Sequence, residues 1–302
     1  MALSAPGPSR FLSPEVVAGL ATLELKARTI VEGLLLGLHR SPFRGSSVEF
    51  AEYRQYMPGD DPSTVDWKVY ARSDRHYVKK FEHDTNVEVQ LLLDTSASMA
   101  YGSGTGMTKL QYGQCLTAAL AYLLTGQRDA VGLGLYDDQL RDYIPSAVKA
   151  GQLTRLLITL DHATPGATSD TARALRQIHD RLRRRGLIVV CSDLLDDADR
   201  VVDGLRLLRA RGMEVVVFHV LDNAELTFPF EHAGTFRDVE TGEEILTHGP
   251  SARGAYLDAV EAWRDGYVAA LRGAGIDYQL APTNAPLDAT LLGWLGARGR
   301  TL

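Results

Sequence analysis

The stretch VEVQLLLDTSASM, residues 87–99, decides the fold. It opens as a short apolar run that ends at Asp94, and Ser96 and Ser98 follow at two-residue spacing. A run that is apolar on both faces suits a strand buried on both sides, and open α/β sheets bind their ligands at the carboxyl ends of such strands. The pattern recurs downstream. GLIVVCSD (186–193) is again apolar and again ends in an aspartate, Asp193. DAVGLGLY (129–136), RDYIP (141–145) and MEVVVFHVLD (213–222) read as further strands, with helical patterns near 109–124, 149–160, 170–184 and 197–210. Strands alternating with helices of this length predict a Rossmann-like, doubly wound, mostly parallel sheet with helices on both faces.

The flanks differ in character. Residues 1–12 read as a loose tail. Ser13-Pro14 then predicts a helix start, with serine as N-cap and proline in the first turn. Val16, Leu20, Leu23, Ala27, Ile30, Leu34 and Leu38 follow at alternating steps of four and three, which predicts one continuous apolar stripe packed on the body of the chain. In residues 39–86, SSVEFAEYRQYM (46–57) and HYVKKFEHD (76–84) suggest short strands around the turn PGDDP (58–62). VDWKVYA (65–71) reads as a strand or a helical turn. After Asp222 the alternation breaks. FRDVETGEEILTH (236–248) reads as a hairpin turning at Thr241-Gly242, followed by a helix near 251–273, a strand at GIDYQLAPT (275–283) and a helix near 286–298. The expected organisation is a helix plus small antiparallel β extension over 1–86, packing on a main domain over 87–302 that carries an inserted hairpin and helix at about 226–275.

Composition narrows the function. The chain has 302 residues, 45% hydrophobic and 23% charged, and a formal net charge of −6. A weakly acidic chain does not bind nucleic acid through its overall field. The basic run Arg181–Arg185 ends a predicted helix, where cations suit the dipole. The two cysteines, Cys115 and Cys191, have no CxxC neighbour and read as core thiols of a reducing compartment. No apolar run reaches the length of a membrane span, and the N-terminus lacks a signal pattern, so a cytoplasmic location is expected.

A carboxylate and two hydroxyls converging beyond a buried strand make a hard, all-oxygen site that suits Mg²⁺, with Mn²⁺ or Ca²⁺ as alternatives. Asp193 ends a second such strand, and TPGATSD (164–170) places Thr168 in a loop before a helix. Each of these residues alone reads as a cap or turn residue. Together, Asp94, Ser96, Ser98, Thr168 and Asp193 predict a metal site. Catalytic signatures are missing. GSGTG (102–106) leads to Met107-Thr108-Lys109 rather than to a phosphate-loop ending, the histidines have no zinc spacing, and Ser96 lacks a nucleophile-elbow setting. No nucleophile–base pair is visible.

DTSASM, GAT and CSD resemble the metal-ion-dependent adhesion site of the von Willebrand factor type A fold. The resemblance implies that Asp94, Ser96 and Ser98 sit nearest the metal, that Thr168 and Asp193 bind it directly or through water, and that a partner's carboxylate fills an open position. Upstream, Arg54, Tyr56, Gly59, Asp60, Asp61, Asp66, Trp67, Ala71 and Arg72 match the conserved block of the bacterial domain-of-unknown-function family 58, with Ser63 where an arginine is expected. Many members carry membrane helices; this chain resembles the short soluble branch. The resemblance implies an adaptor or co-chaperone, not an enzyme, that works with a MoxR-type AAA+ ATPase or its client. A metal-dependent phosphoesterase and a metal-independent interaction scaffold are the alternatives. The PGDDP turn and the Asp66-Trp67 pair read as structural anchors.

Overall fold

In the computed structural model, residues 13–40, 53–55, 77–79, 87–104, 106–166, 168–240 and 242–298 are described. The chain divides into two compact units, residues 1–40 with 87–302, and residues 41–86. The N-terminal helices therefore group with the main body, not with the segment that follows them.

The larger unit is built on a six-stranded sheet. Its strands are β3 (Glu88–Asp94), β4 (Ala130–Tyr136), β5 (Leu140–Ala147), β6 (Gly186–Ser192), β7 (Glu214–Leu221) and β10 (Asp277–Pro282), in the order β10-β7-β6-β3-β4-β5. All neighbours are parallel except β4 and β5. Strand order reverses at β3, which lies between β4 and β6, so the crevice beyond its carboxyl end is where such a sheet offers a binding site.

The apolar runs explain how the sheet is covered. Leu91 and Leu93 point to one face and Leu92 to the other, and all three are buried. On the first face they meet α3 (Lys109–Gly126), α4 (Gln152–Asp161) and α9 (Leu287–Arg298). On the second they meet α5 (Thr171–Arg181), α6 (Ala198–Ala210) and α8 (Gly249–Gly273). Cys115 and Cys191 are free and buried in the first of these cores.

The predicted N-terminal helix is broken in two, α1 (Pro14–Ala18) and α2 (Leu23–Arg40). Gly19 ends the first, and Thr22 restarts the helix by accepting from the Leu25 amide at 3.2 Å. The break shifts the stripe. Val17 is buried while Val16 is half exposed, and Leu23, Ala27, Ile30 and Leu34 are buried as the spacing predicts.

Between β7 and β10 the chain inserts a one-turn helix α7 (Asn223–Thr227), a hairpin of β8 (Ala233–Arg237) and β9 (Glu244–His248), and α8. The hairpin forms a two-stranded sheet of its own. Its turn closes where the Asp238 amide donates to the Glu243 carbonyl at 2.8 Å, and Gly242 supplies the positive φ of 75° the turn needs. In the smaller unit, β1 (Tyr53–Gln55) pairs antiparallel with β2 (Tyr77–Lys79). Arg54 lies on β1; Tyr56, the PGDDP turn, Ser63, Asp66-Trp67, Ala71 and Arg72 lie outside the described residues. Among the described residues, no helix is long and apolar enough to cross a membrane.

Candidate metal centre

Asp94 and Asp193 arrive side by side because their strands are neighbours. Leu93 of β3 pairs with Cys191 of β6; Asp94 is the last residue of β3, and Asp193 follows Ser192, the last of β6. Asp94 is fully buried. Its Oδ1 accepts from the Ser96 amide at 2.8 Å, which turns the chain sharply at the strand end. Its Oδ2 accepts from the Ser192 hydroxyl at 2.6 Å. The Ser96 and Ser98 hydroxyls lie 3.0 Å apart on a 3-10 turn that begins at Ala97, and both are buried.

Asp193 is held from several sides. Its Oδ2 accepts from Lys109 Nζ at 2.7 Å, and its Oδ1 from the Leu195 amide at 3.2 Å. Lys109 also donates to Glu225 Oε1 at 2.7 Å, and its own side chain is 1% exposed. Behind the site, His219 Nε2 donates to the Asp193 carbonyl at 2.9 Å, and Nδ1 accepts from the Tyr278 hydroxyl at 2.8 Å. Burial pushes the His219 pKa down to about 4, which fixes a neutral ring with both nitrogens engaged. Leu194 adopts a left-handed φ of 53°, a strained conformation for a branched residue, and the Tyr267 hydroxyl donates to its carbonyl at 3.1 Å.

The loop before α5 folds against the Asp94 loop. The Gly166 amide donates to the Thr95 carbonyl at 2.6 Å, and a Cβ at Gly166 would press on the Asp137 side chain, which would have to shift for any larger residue. Of the residues singled out from sequence, Asp94, Ser96, Ser98 and Asp193 are buried at the strand ends. Thr168 is exposed on its loop. What that loop does present is the Ser169 amide, which donates to Glu240 Oε2 at 3.2 Å. Glu240 comes from the hairpin turn and lines, with Ser98, Lys109 and Glu225, a cavity of about 380 Å³ walled by Phe228, Phe236 and Tyr256.

Two buried carboxyl groups lie close together at these strand ends. Burial, then the nearby Asp193 carboxylate, push the Asp94 pKa up to about 7 despite the Ser192 and Ser96 bonds that favour its charge. For Lys109, burial acts against the charge, but Asp193 and Glu225 outweigh it and its pKa is raised. One ammonium thus stands among the carboxylates of Asp193 and Glu225, and among the described residues no basic side chain bonds Asp94. Among the described residues, no three His, Cys, Asp or Glu side chains form a metal-holding group. A cation here would depend on hydroxyl oxygens as well as carboxylates, and the set Asp94, Ser96, Ser98 and Asp193 fits a hard ion of the Mg²⁺ kind that retains waters.

Sequence reasoning missed Lys109, Ser192, His219 and Glu240. Lys109 leaves one trace: it is the first residue of α3, where a cation opposes the helix dipole, so an anionic partner had to be nearby.

Comparison with known proteins gives a consistent family and an uninformative set of functions. A family model described as "Protein of unknown function DUF58" matches residues 52–265. The "Uncharacterized protein Rv1480" of Mycobacterium tuberculosis is 28% identical over 293 residues, covering 95% of this chain and 91% of that protein. "Uncharacterized protein Mb1516" of Mycobacterium bovis matches to the same extent. Among solved structures, the conserved hypothetical protein BatB from Bacteroides thetaiotaomicron has a TM-score of 0.47 at 13% identity, covering 71% of this chain and 99% of its own. An aerotolerance-related membrane protein from Bacteroides fragilis has a TM-score of 0.49 at 16% identity, covering 72% and 100%. The SpRpn10 VWA domain has a TM-score of 0.38 at 12% identity, covering 68% and 94%.

Proposed function

The chain belongs to the DUF58 family, and from that membership and its site we propose that it is a metal-dependent protein-binding module rather than an enzyme. Asp94, Ser96, Ser98 and Asp193 would hold a Mg²⁺ ion, in the manner of a von Willebrand factor type A adhesion site. The bound ion would supply a Lewis-acidic position for a partner's Asp or Glu. The observation that carries this reading is the burial of these four oxygen-bearing side chains at two adjacent strand ends, where Asp94 has no basic partner among the described residues. The family resemblance supplies the candidate partner, a cytoplasmic MoxR-type AAA+ ATPase or its client. Binding is favoured over hydrolysis because His219 spends both ring nitrogens on structure and offers no base to the site.

Titration calorimetry with Mg²⁺ tests the site. Wild type should bind one ion, and Asp94→Ala should lose the binding heat while keeping its circular dichroism spectrum. Equal binding by both proteins would rule out the assignment. A second reading has its own support: Lys109 already sets an ammonium against Asp193, as a scaffold with no need of metal would. Capture of the purified ATPase separates the two, since a metal-independent scaffold binds equally well in chelator.

A further inference from the structure

We propose that Glu240 is a built-in occupant of this site: the β8–β9 hairpin lays its carboxylate where a partner's carboxylate would go, and must lift before a partner binds. The inference rests on the metal-binding reading and adds how that site is regulated. Glu240 lines the same cavity as Ser98 and Lys109. Its Oε2 accepts from the Ser169 amide, which ties the carboxylate to the loop before α5. Its Oε1 is buried with no hydrogen bond of normal geometry among the described residues, and the Ser98 hydroxyl is the side chain close enough to favour its charge. A buried carboxylate oxygen without a well-formed hydrogen bond is costly, and in a native structure it calls for an explanation such as an ion. A hard cation held beside Ser98 provides one, because carboxylate oxygen is what such ions take.

The carrier is suited to moving. Among the described residues, the hairpin shares no strand pairing with the main sheet. Two strands alone are marginally stable in water, so this pair depends on the aromatic contacts of Phe236 with Phe228 and Phe230. Its second strand is loosely packed, with the apolar side chains of Ile245 66% and Leu246 79% exposed. A partner that lifts the hairpin therefore breaks the Ser169–Glu240 hydrogen bond and disturbs the aromatic cluster while leaving the strand pairing of the main sheet in place.

Mn²⁺ as the probe tests this on the full chain. Water-proton relaxation reports the solvent waters on the bound ion, and acetate stands in for a partner carboxylate. In wild type, acetate should leave the relaxation unchanged. In Glu240→Ala, relaxation per bound ion should rise by roughly the share of one water, and acetate should reverse the rise. Glu240→Asp, which shortens the reach but keeps the charge, should give the same gain. If Mn²⁺ binds wild type, is lost in Asp94→Ala, and yet relaxes water identically in the Glu240 variants, the built-in occupant is ruled out and the metal site stands. If wild type binds no Mn²⁺, both readings fall.

Discussion

Asp94 and Asp193 end two paired strands in the middle of the sheet and are 0% and 1% exposed, whereas Glu240 rides on a separate hairpin whose β9 carries Ile245 and Leu246 largely in solvent. The floor of the site is held by strand pairing, by the Lys109 ion pairs and by His219 from behind. The contacts that seat the cover on the site include the Ser169 amide and a cluster of rings. Charge in the floor is therefore expensive to disturb, and contact in the cover is cheap. A binding site that must stay shaped yet open on demand needs that division, because segments that move are drawn from the least stable parts of a fold.

The floor breaks most severely at Lys109. Lys109→Met keeps the length of the stem but leaves the buried Asp193 and the partly buried Glu225 without their cation. Removing one partner of a buried ion pair typically costs about 3–5 kcal/mol, and that loss is expected in urea unfolding of the metal-free protein. Saturating Mg²⁺ should return part of it, since a divalent ion can neutralise Asp193 in place of the ammonium. A variant as stable as wild type would show that Glu225 and Asp193 are solvated, contrary to the 1% exposure of the Asp193 side chain.

His219 tests the floor by pH. Its pKa falls from 6.5 to about 4 on folding, chiefly through burial, so the folded state resists the proton that the unfolded state accepts. Stability from this group is therefore complete above pH 6.5, declines as pH falls from 6.5 toward 4, and levels off below. At about 1.4 kcal/mol per pH unit, the decline amounts to about 3 kcal/mol. His219→Gln, which cannot ionise, should flatten this limb of a plot of urea midpoint against pH. An unchanged limb would assign the acid sensitivity to other groups.

The same division decided what the sequence revealed. VEVQLLLD and GLIVVCSD are apolar on both faces because both faces of β3 and β6 are covered, and the first polar residues after them had to be the strand ends. That Asp94, Ser96, Ser98 and Asp193 lie buried at strand ends was legible for that reason; that they hold a metal is the proposal. Thr168 followed from motif order alone, and its exposure sets it apart from the other four. Glu240 was hidden because its partners, the Ser169 amide and the cavity beside Ser98, are distant in sequence and leave no periodicity. The hairpin itself was readable from its turn, but a turn says nothing of what lies beneath it. The break between α1 and α2 was missed because one glycine within an apolar stripe is compatible with a continuous helix; Thr22 capping decided otherwise.

The smallest expected effect falls on the cover. Phe236 stacks on Phe228 with ring centres 5.4 Å apart and meets Phe230 edge-on at 5.1 Å. Aromatic pairs of this kind are worth about 1 kcal/mol beyond their buried area. Phe236→Ala should therefore release the hairpin without unfolding the sheet. Hydrogen exchange of the β8 and β9 amides should quicken about fivefold, which is what 1 kcal/mol represents, while exchange in β3 and β6 stays as slow as in wild type. Equal acceleration in all four strands would mean that cover and floor unfold together. The hairpin would then be part of the core rather than a lid, and Glu240 could reach or leave the site only when the whole domain opened.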